Sequence, residues 1–276
     1  MAKRIYSLAQ EQSDTTLLIG AYRVLSATLY FRGDFETSAQ YAKRGVQLWR
    51  SEGVRSPVEE IGASSVGCLC YQALTEWHSD EVASSHATMG EAISLAKALN
   101  DPVALVQTLN HAWFLGQIEG NVAEVEHCAS EVIELSTRHN FATWLPGAVI
   151  LRGWARSASG HTAEGVAWIE EGIRDNYRVS GAMAGMPYFL ALKAEALHLA
   201  ERTSEALQAV EEAEALVERF ELRWWRAELY RLKGVFLNAV GADHTQIEAS
   251  FCTAFGTAKE QKSVSLQKRA EASYAE

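Results

Sequence analysis

Cys68 and Cys70, eight histidines and a glutamate-rich run from Glu205 to Glu218 are the groups in this sequence whose types could do chemistry. Thiolates and imidazoles would hold a metal, and carboxylates would trade protons. Their spacing argues against each. On a helix, residues two apart point about 200° apart around the axis, so Cys68 and Cys70 read as buried free thiols acting as small hydrophobes. His78 and His86 fall on either side of a predicted turn, His127 and Cys128 diverge as helix neighbours, and no H-E-x-x-H occurs. The glutamate run reads as a solvated helix face partly paired with arginine. Neither a G-x-x-x-x-G-K-S/T phosphate loop nor a G-x-S-x-G nucleophile elbow is present. No catalytic residue, metal site or cofactor is therefore expected, and the chain is expected not to be an enzyme.

Composition points the same way, toward binding. The formal net charge of −10 argues against nucleic acid, whose phosphates draw affinity from clustered Lys and Arg. No apolar run approaches the roughly 20 residues that span a bilayer, and the start MAKRIYSLAQEQSD has no long apolar core. A soluble cytoplasmic protein that binds no membrane is the expectation. Four scattered cysteines form no disulfide framework, while four prolines and runs of Ala, Leu and Glu favour helix.

The elements that would carry binding groups show themselves as a repeat. Turn signals at Gly33, Asp80, Gly120, Gly160, Glu201 and Gly241 recur at intervals of 47, 40, 40, 41 and 40. Small residues sit at matched offsets: Gly45, Ala92, Gly172 and Ala213 follow their anchors by 12, and Ala73, Gly153, Ala194 and Gly234 precede theirs by seven. Small side chains are needed where two helices of a hairpin approach closely. Pro57, Pro102, Pro146 and Pro187 punctuate the starts of first helices, because proline is accepted in a first turn and breaks an interior.

The pattern predicts an all-α, right-handed superhelical solenoid of six tetratricopeptide-like hairpins of about 40 residues, filling 1–276 as a single repeat domain. First helices are placed near 16–32, 61–78, 102–118, 144–158, 187–199 and 223–240. Their partners are placed near 35–51, 81–99, 122–139, 162–177, 203–219 and 245–261. Residues 1–12 read as the second helix of a preceding hairpin, and 263–276 as the start of a further one. Leu266, Ala270 and Tyr274 form a terminal stripe without a following partner, which fraying or an isologous homodimer would answer.

In such arrays first helices face the concave surface, and the residues one turn from the packing positions project into it. That places Arg23, Tyr30, Trp77, Asn110, Phe114, Gln117, Trp154, Glu195, His198, Arg231 and Asn238 along a strip suited to an extended peptide or a helix. Most of the eight tryptophans read instead as packing between repeats. As groove positions, Trp154 and Arg231 are expected to tolerate alanine better than Leu192 and Leu229.

The segments Leu151-Arg152-Gly153-Trp154-Ala155, Pro187-Tyr188-Phe189-Leu190-Ala191-Leu192 and WW-x-AEL-x-RLKG over 224–234 resemble the C-terminal repeats of large bacterial signalling proteins. In those proteins a class III adenylate or guanylate cyclase domain, or another effector, precedes a signal-transduction ATPase domain and a tetratricopeptide array. The resemblance covers nearly the whole chain and implies a sensing or docking end, with an ATPase or cyclase domain as neighbour and a protein or peptide as partner. A small-molecule-sensing array stays open as the alternative, and polar groups converging beside Trp154 would favour it.

Overall fold

In the computed structural model, residues 14–51, 59–179 and 183–275 are described, together with positions 4, 6, 7, 9, 11 and 181. The sequence readings of Pro57 and of most of residues 1–12 fall outside the described residues. Among those described there are thirteen α-helices and no strand. They run α1 Thr15–Phe31, α2 Phe35–Ser51, α3 Glu59–His78, α4 Val82–Leu99, α5 Pro102–Ile118, α6 Val122–His139, α7 Leu145–Ala158, α8 Thr162–Val179, α9 Met186–Leu199, α10 Thr203–Phe220, α11 Arg226–Ala239, α12 His244–Glu260 and α13 Val264–Ala275. A short 3₁₀ turn, Arg223–Trp225, leads into α11. The expected helices match these to within a few residues, so the all-α helical-repeat class holds.

Local chemistry sets the punctuation. All six anchor residues have positive φ, from 60° at Glu201 to 89° at Gly160, and each turns a first helix into its partner. A second series, Asn100, Asn140 and Glu221, adopts the left-handed conformation at the ends of α4, α6 and α10. Asp14, Asp34 and Asn121 accept backbone N–H bonds at the starts of α1, α2 and α6, satisfying donors that have no partner inside the helix. Pro102, Pro146 and Pro187 stand in the first turns of α5, α7 and α9.

The helices form two compact units, Met1–Ala112 with Gln261–Ser265, and Trp113–Glu260 with Leu266–Glu276. In the first unit α1 pairs with α2 and α3 with α4, and the first helices α1 and α3 lie side by side. In the second, α7 pairs with α8, α9 with α10 and α11 with α12, with α7, α9 and α11 neighbouring in turn. The small residues at matched offsets sit in these seams. Ala73, Ala92, Ala194 and Ala213 are fully buried, a Cβ on Gly172 would lie 2.8 Å from the Pro146 carbonyl, and one on Gly234 would strike the Phe251 ring.

Gly90 lies outside these seams: it is exposed in α4, and a Cβ there would meet nothing within 4 Å. Gly90→Ala is accordingly expected to stabilise the chain by about 0.5–1 kcal/mol, since alanine loses less backbone freedom on entering a helix. Urea unfolding midpoints would show the gain, and a loss of stability would mean that α4 packs against something at that face.

Two departures from a linear array stand out. Within the first unit, Ser263 Oγ lies 2.8 Å from His78 Nδ1, Ser265 Oγ donates to the Trp77 carbonyl, and Lys262 Nζ reaches Glu36. These contacts join residues 185 to 226 apart in sequence, whereas a simple solenoid contacts only its neighbours. The terminal stripe also needs correcting: Leu266 and Ala270 are buried, and only Tyr274 is exposed, its ring against Phe251 and Phe255. Because α13 covers its own apolar face inside the chain, an exposed stripe no longer supplies a reason for dimerisation.

Candidate functional site

The eleven residues of the expected strip divide between the units. In the first, Tyr30 is buried with its hydroxyl 3.3 Å from His78 Nε2, and burial raises its pKa well above the usual value. His78 is itself pushed down to about 3 by burial, and its ring stacks on Phe35 at 3.5 Å. Trp77 is buried beside it. Tyr30 and Trp77 therefore fill the interior of this unit. Arg23 is half-buried, its stem lying across the space left by Gly67, and Asn110 is half-buried on α5. Cys68 and Cys70 are buried free thiols whose pKa values burial pushes up to about 12, so neither offers a thiolate near neutrality.

The second unit brings four of the eleven together. Trp154 and Glu195 occupy equivalent places on α7 and α9, 41 residues apart, so the repeat sets one beside the other: Trp154 Nε1 donates to Glu195 Oε2 at 2.6 Å. Gln117 Nε2 on α5 donates to the same oxygen at 3.2 Å, and Arg231 Nη2 on α11 stands 4.0 Å from Glu195 Oε1. Of the remaining three, Phe114 is buried among Tyr188, Trp224 and Trp225, with ring centroids 5.3 Å from each. His198 Nδ1 lies 3.0 Å from Thr203 Oγ1, and Asn238 is exposed near the end of α11.

Three members of this cluster were missed from sequence. Glu228 Oε1 accepts from Arg231 Nη2 at 2.6 Å and from Arg269 Nη2 at 2.7 Å; Arg269 also donates to the Ile118 carbonyl, and Arg231 Nη1 to Ser273 Oγ. A signal for them existed. Glu228 and Arg231 are three apart on one helix, and Arg269 and Ser273 follow them by 41 and 42, one repeat on.

The two carboxylates behave in opposite ways. Glu228 is 2% exposed. Burial alone would raise its pKa, but the charges and hydrogen bonds of Arg231 and Arg269 outweigh that and hold it well below the usual range. Glu195 keeps 21% of its side chain exposed, and burial, helped by the charge of Glu228, raises its pKa against the pull of Arg231. Glu228 is thus a fixed anion locking two arginines, while Glu195 is a partly exposed carboxylate held by Trp154 and Gln117.

The geometry corrects the expected tolerance of Trp154 and Arg231. Trp154 is 7% exposed and the Arg231 side chain 11%, so both are built into the interior edge of the site; alanine at either would remove buried contacts as well as a bonding group. A separate shallow cleft of about 490 Å³ lies on α6, α7 and α8, lined by Glu126, Arg152, Arg156, Glu164 and Trp168. Its charges already answer one another, Arg152 to Glu126 at 3.0 Å and Arg156 to Glu164 at 2.7 Å. Among the described residues no group of three or more His, Cys, Asp or Glu is placed to hold a metal, and no helix is long and apolar enough to cross a membrane.

No family model matches the chain. It is 21% identical over 277 residues to an uncharacterized protein of Rhizobium meliloti (strain 1021), a match that covers all of this chain and spans 27% of the length of that protein. Among solved structures, the Rap conjugation gene regulator of plasmid pLS20 in complex with the Phr* peptide superimposes with a TM-score of 0.66 at 10% identity, over 96% of this chain and 76% of that one. PlcR of Bacillus thuringiensis in complex with the peptide PapR7 and DNA gives 0.62 at 14% identity, over 76% of this chain and 74% of that one. At such identities the likeness establishes the fold: this chain is a tetratricopeptide-like helical-repeat protein.

Proposed function

We propose that this chain is a non-catalytic interaction module that binds a peptide or protein partner along the first helices of its hairpins, with 1–276 acting as one repeat domain. The observation that carries the reading is the Glu195 cluster, where side chains from α5, α7, α9 and α11 converge on a carboxylate that remains partly open to a ligand. Support comes from fold neighbours solved with peptides bound, PlcR with PapR7 and the pLS20 Rap protein with Phr*. The PlcR structure also contains DNA, but the net charge of −10 here favours a protein partner. The resemblance of the WW-x-AEL-x-RLKG stretch supports a place at the regulatory end of a signalling ATPase or nucleotide cyclase.

Display of a random peptide library against the immobilised chain tests this. Enrichment of a shared motif that is lost with Glu195→Gln is the expected outcome; a library that emerges without any enriched motif goes against it. One observation favours a second reading, a small-molecule sensor, because polar groups do converge beside Trp154. Thermal stabilisation by members of a metabolite panel, with no enriched peptide, would select that reading.

A further inference from the structure

We infer that the Glu195 cluster receives a cationic nitrogen, the side chain of a lysine or arginine presented by an extended peptide; this rests on the peptide-binding reading above. The inference follows from counting donors and acceptors. Each nitrogen of the two guanidiniums already donates one hydrogen bond: Arg231 donates through Nε and Nη2 to Glu228 and through Nη1 to Ser273. Arg269 donates through Nε and Nη2 to Glu228 and through Nη1 to the Ile118 carbonyl. The Trp154 indole N–H and one N–H of Gln117 go to Glu195 Oε2.

Two acceptor oxygens of the cluster have no hydrogen-bond donor. Glu195 Oε1 accepts no hydrogen bond, its nearest cation standing 4.0 Å away, and Gln117 Oε1 is buried without any partner. A buried acceptor left unmade costs free energy, which a ligand donor would recover. A carboxylate ligand would meet these acceptors and only the second N–H groups of nitrogens already bonded, whereas an ammonium or guanidinium brings N–H donors to the partly exposed Glu195 Oε1.

The raised pKa of Glu195, set first by burial, marks a carboxylate that an added positive charge would stabilise. The aromatic edge of Trp154 would flank the alkyl stem of a lysine or arginine while its head reaches Glu195.

The test uses the full chain and fluorescence polarisation with N-acetylated random octapeptide pools in which one central position is fixed as Lys, Arg, Glu or norleucine. A further pool has a free amino terminus and no Lys or Arg. Binding of the Lys or Arg pool about 10- to 100-fold tighter than the norleucine and Glu pools is expected, as one charge-assisted pair would give. Glu195→Gln should remove that preference while keeping the helical spectrum. Tightest binding by the free-terminus pool would overturn the side-chain assignment. Equal binding by all pools, or a cation preference that survives in Glu195→Gln, would overturn the inference and leave the interaction module standing. No binding by any pool ends both.

Should Glu195→Gln unfold, the wild-type chain still decides the matter. The indole N–H resonance of Trp154, identified by its loss in Trp154→Phe, should shift on titration with a lysine peptide and stay fixed with its norleucine analogue. An unmoved resonance counts against the site.

Discussion

Replacing Glu228 by glutamine is expected to destabilise the second unit by about 3–5 kcal/mol, the cost of leaving a buried charge without its partner. Two guanidiniums converge on this carboxylate, the Arg231 side chain at 11% exposure and that of Arg269 at 30%, and neither can turn fully into water.

The pH dependence has a defined sign. The folded pKa of Glu228 is depressed, so its stabilisation is fully present above the unfolded carboxylate value of about 4.3 and is lost as pH falls toward the folded value. Glu195 works the other way: its folded pKa is raised, so it favours the folded state more as it takes up its proton. Urea unfolding of wild type and Glu228→Gln at pH 7 and pH 3 should show a large stability gap that narrows at the lower pH. A gap of under about 1 kcal/mol at pH 7 would mean that water or a rearranged Glu195 takes over the role of Glu228.

Gly153→Ala is expected to cost about 3 kcal/mol or more, at the upper end of overpacking effects, although alanine is the better helix former by about 1 kcal/mol. A Cβ at this position in α7 would stand 2.7 Å from the Gly165 carbonyl oxygen and 2.8 Å from Ile169 Cγ1 across the hairpin. Backbone lies on the far side, so no rotamer change relieves the clash; α7 and α8 would have to separate. Chemical unfolding beside Gly90→Ala makes the contrast sharp, because the same substitution should raise the midpoint at one site and lower it at the other. A neutral result at Gly153 would show that the two helices pack less closely than their glycines allow.

That contrast also shows what was legible in the sequence. Gly153 and Gly172 were singled out by their offsets from the turn anchors, and the reason is a physical one: helices that touch backbone to backbone leave no room for Cβ. The anchors themselves were legible because a left-handed turn restricts residue type, and Asp80 and Glu201 were located through the period even though neither is glycine.

The site was legible in part. Period and helix face together placed Gln117, Trp154, Glu195 and Arg231 on one surface, and they meet there. The same rule swept in Tyr30 and Trp77, which point into the core of the first unit although they stand three residues before their anchors, just as Gln117 does before Gly120. It passed over Glu228, since a buried carboxylate resembles an exposed one in sequence until its arginines are known. The contacts of Ser263 and Ser265 could not be read at all, as nothing local distinguishes those serines from turn residues.

Those serines carry a consequence for how the chain is made. The first unit draws on residues 261–265, so its His78 lacks Ser263 until residues 113–260 have been synthesised. At about 5–20 residues per second, a ribosome takes on the order of ten seconds or more to add that stretch. Throughout that time the N-terminal hairpins stand beside the ribosome with the imidazole of His78 and the Trp77 carbonyl lacking their serine partners. Of residues 1–276, the part that emerges first is thus among the last to be finished, and a nascent chain arrested before residue 261 would hold this first unit open to chaperones and proteases.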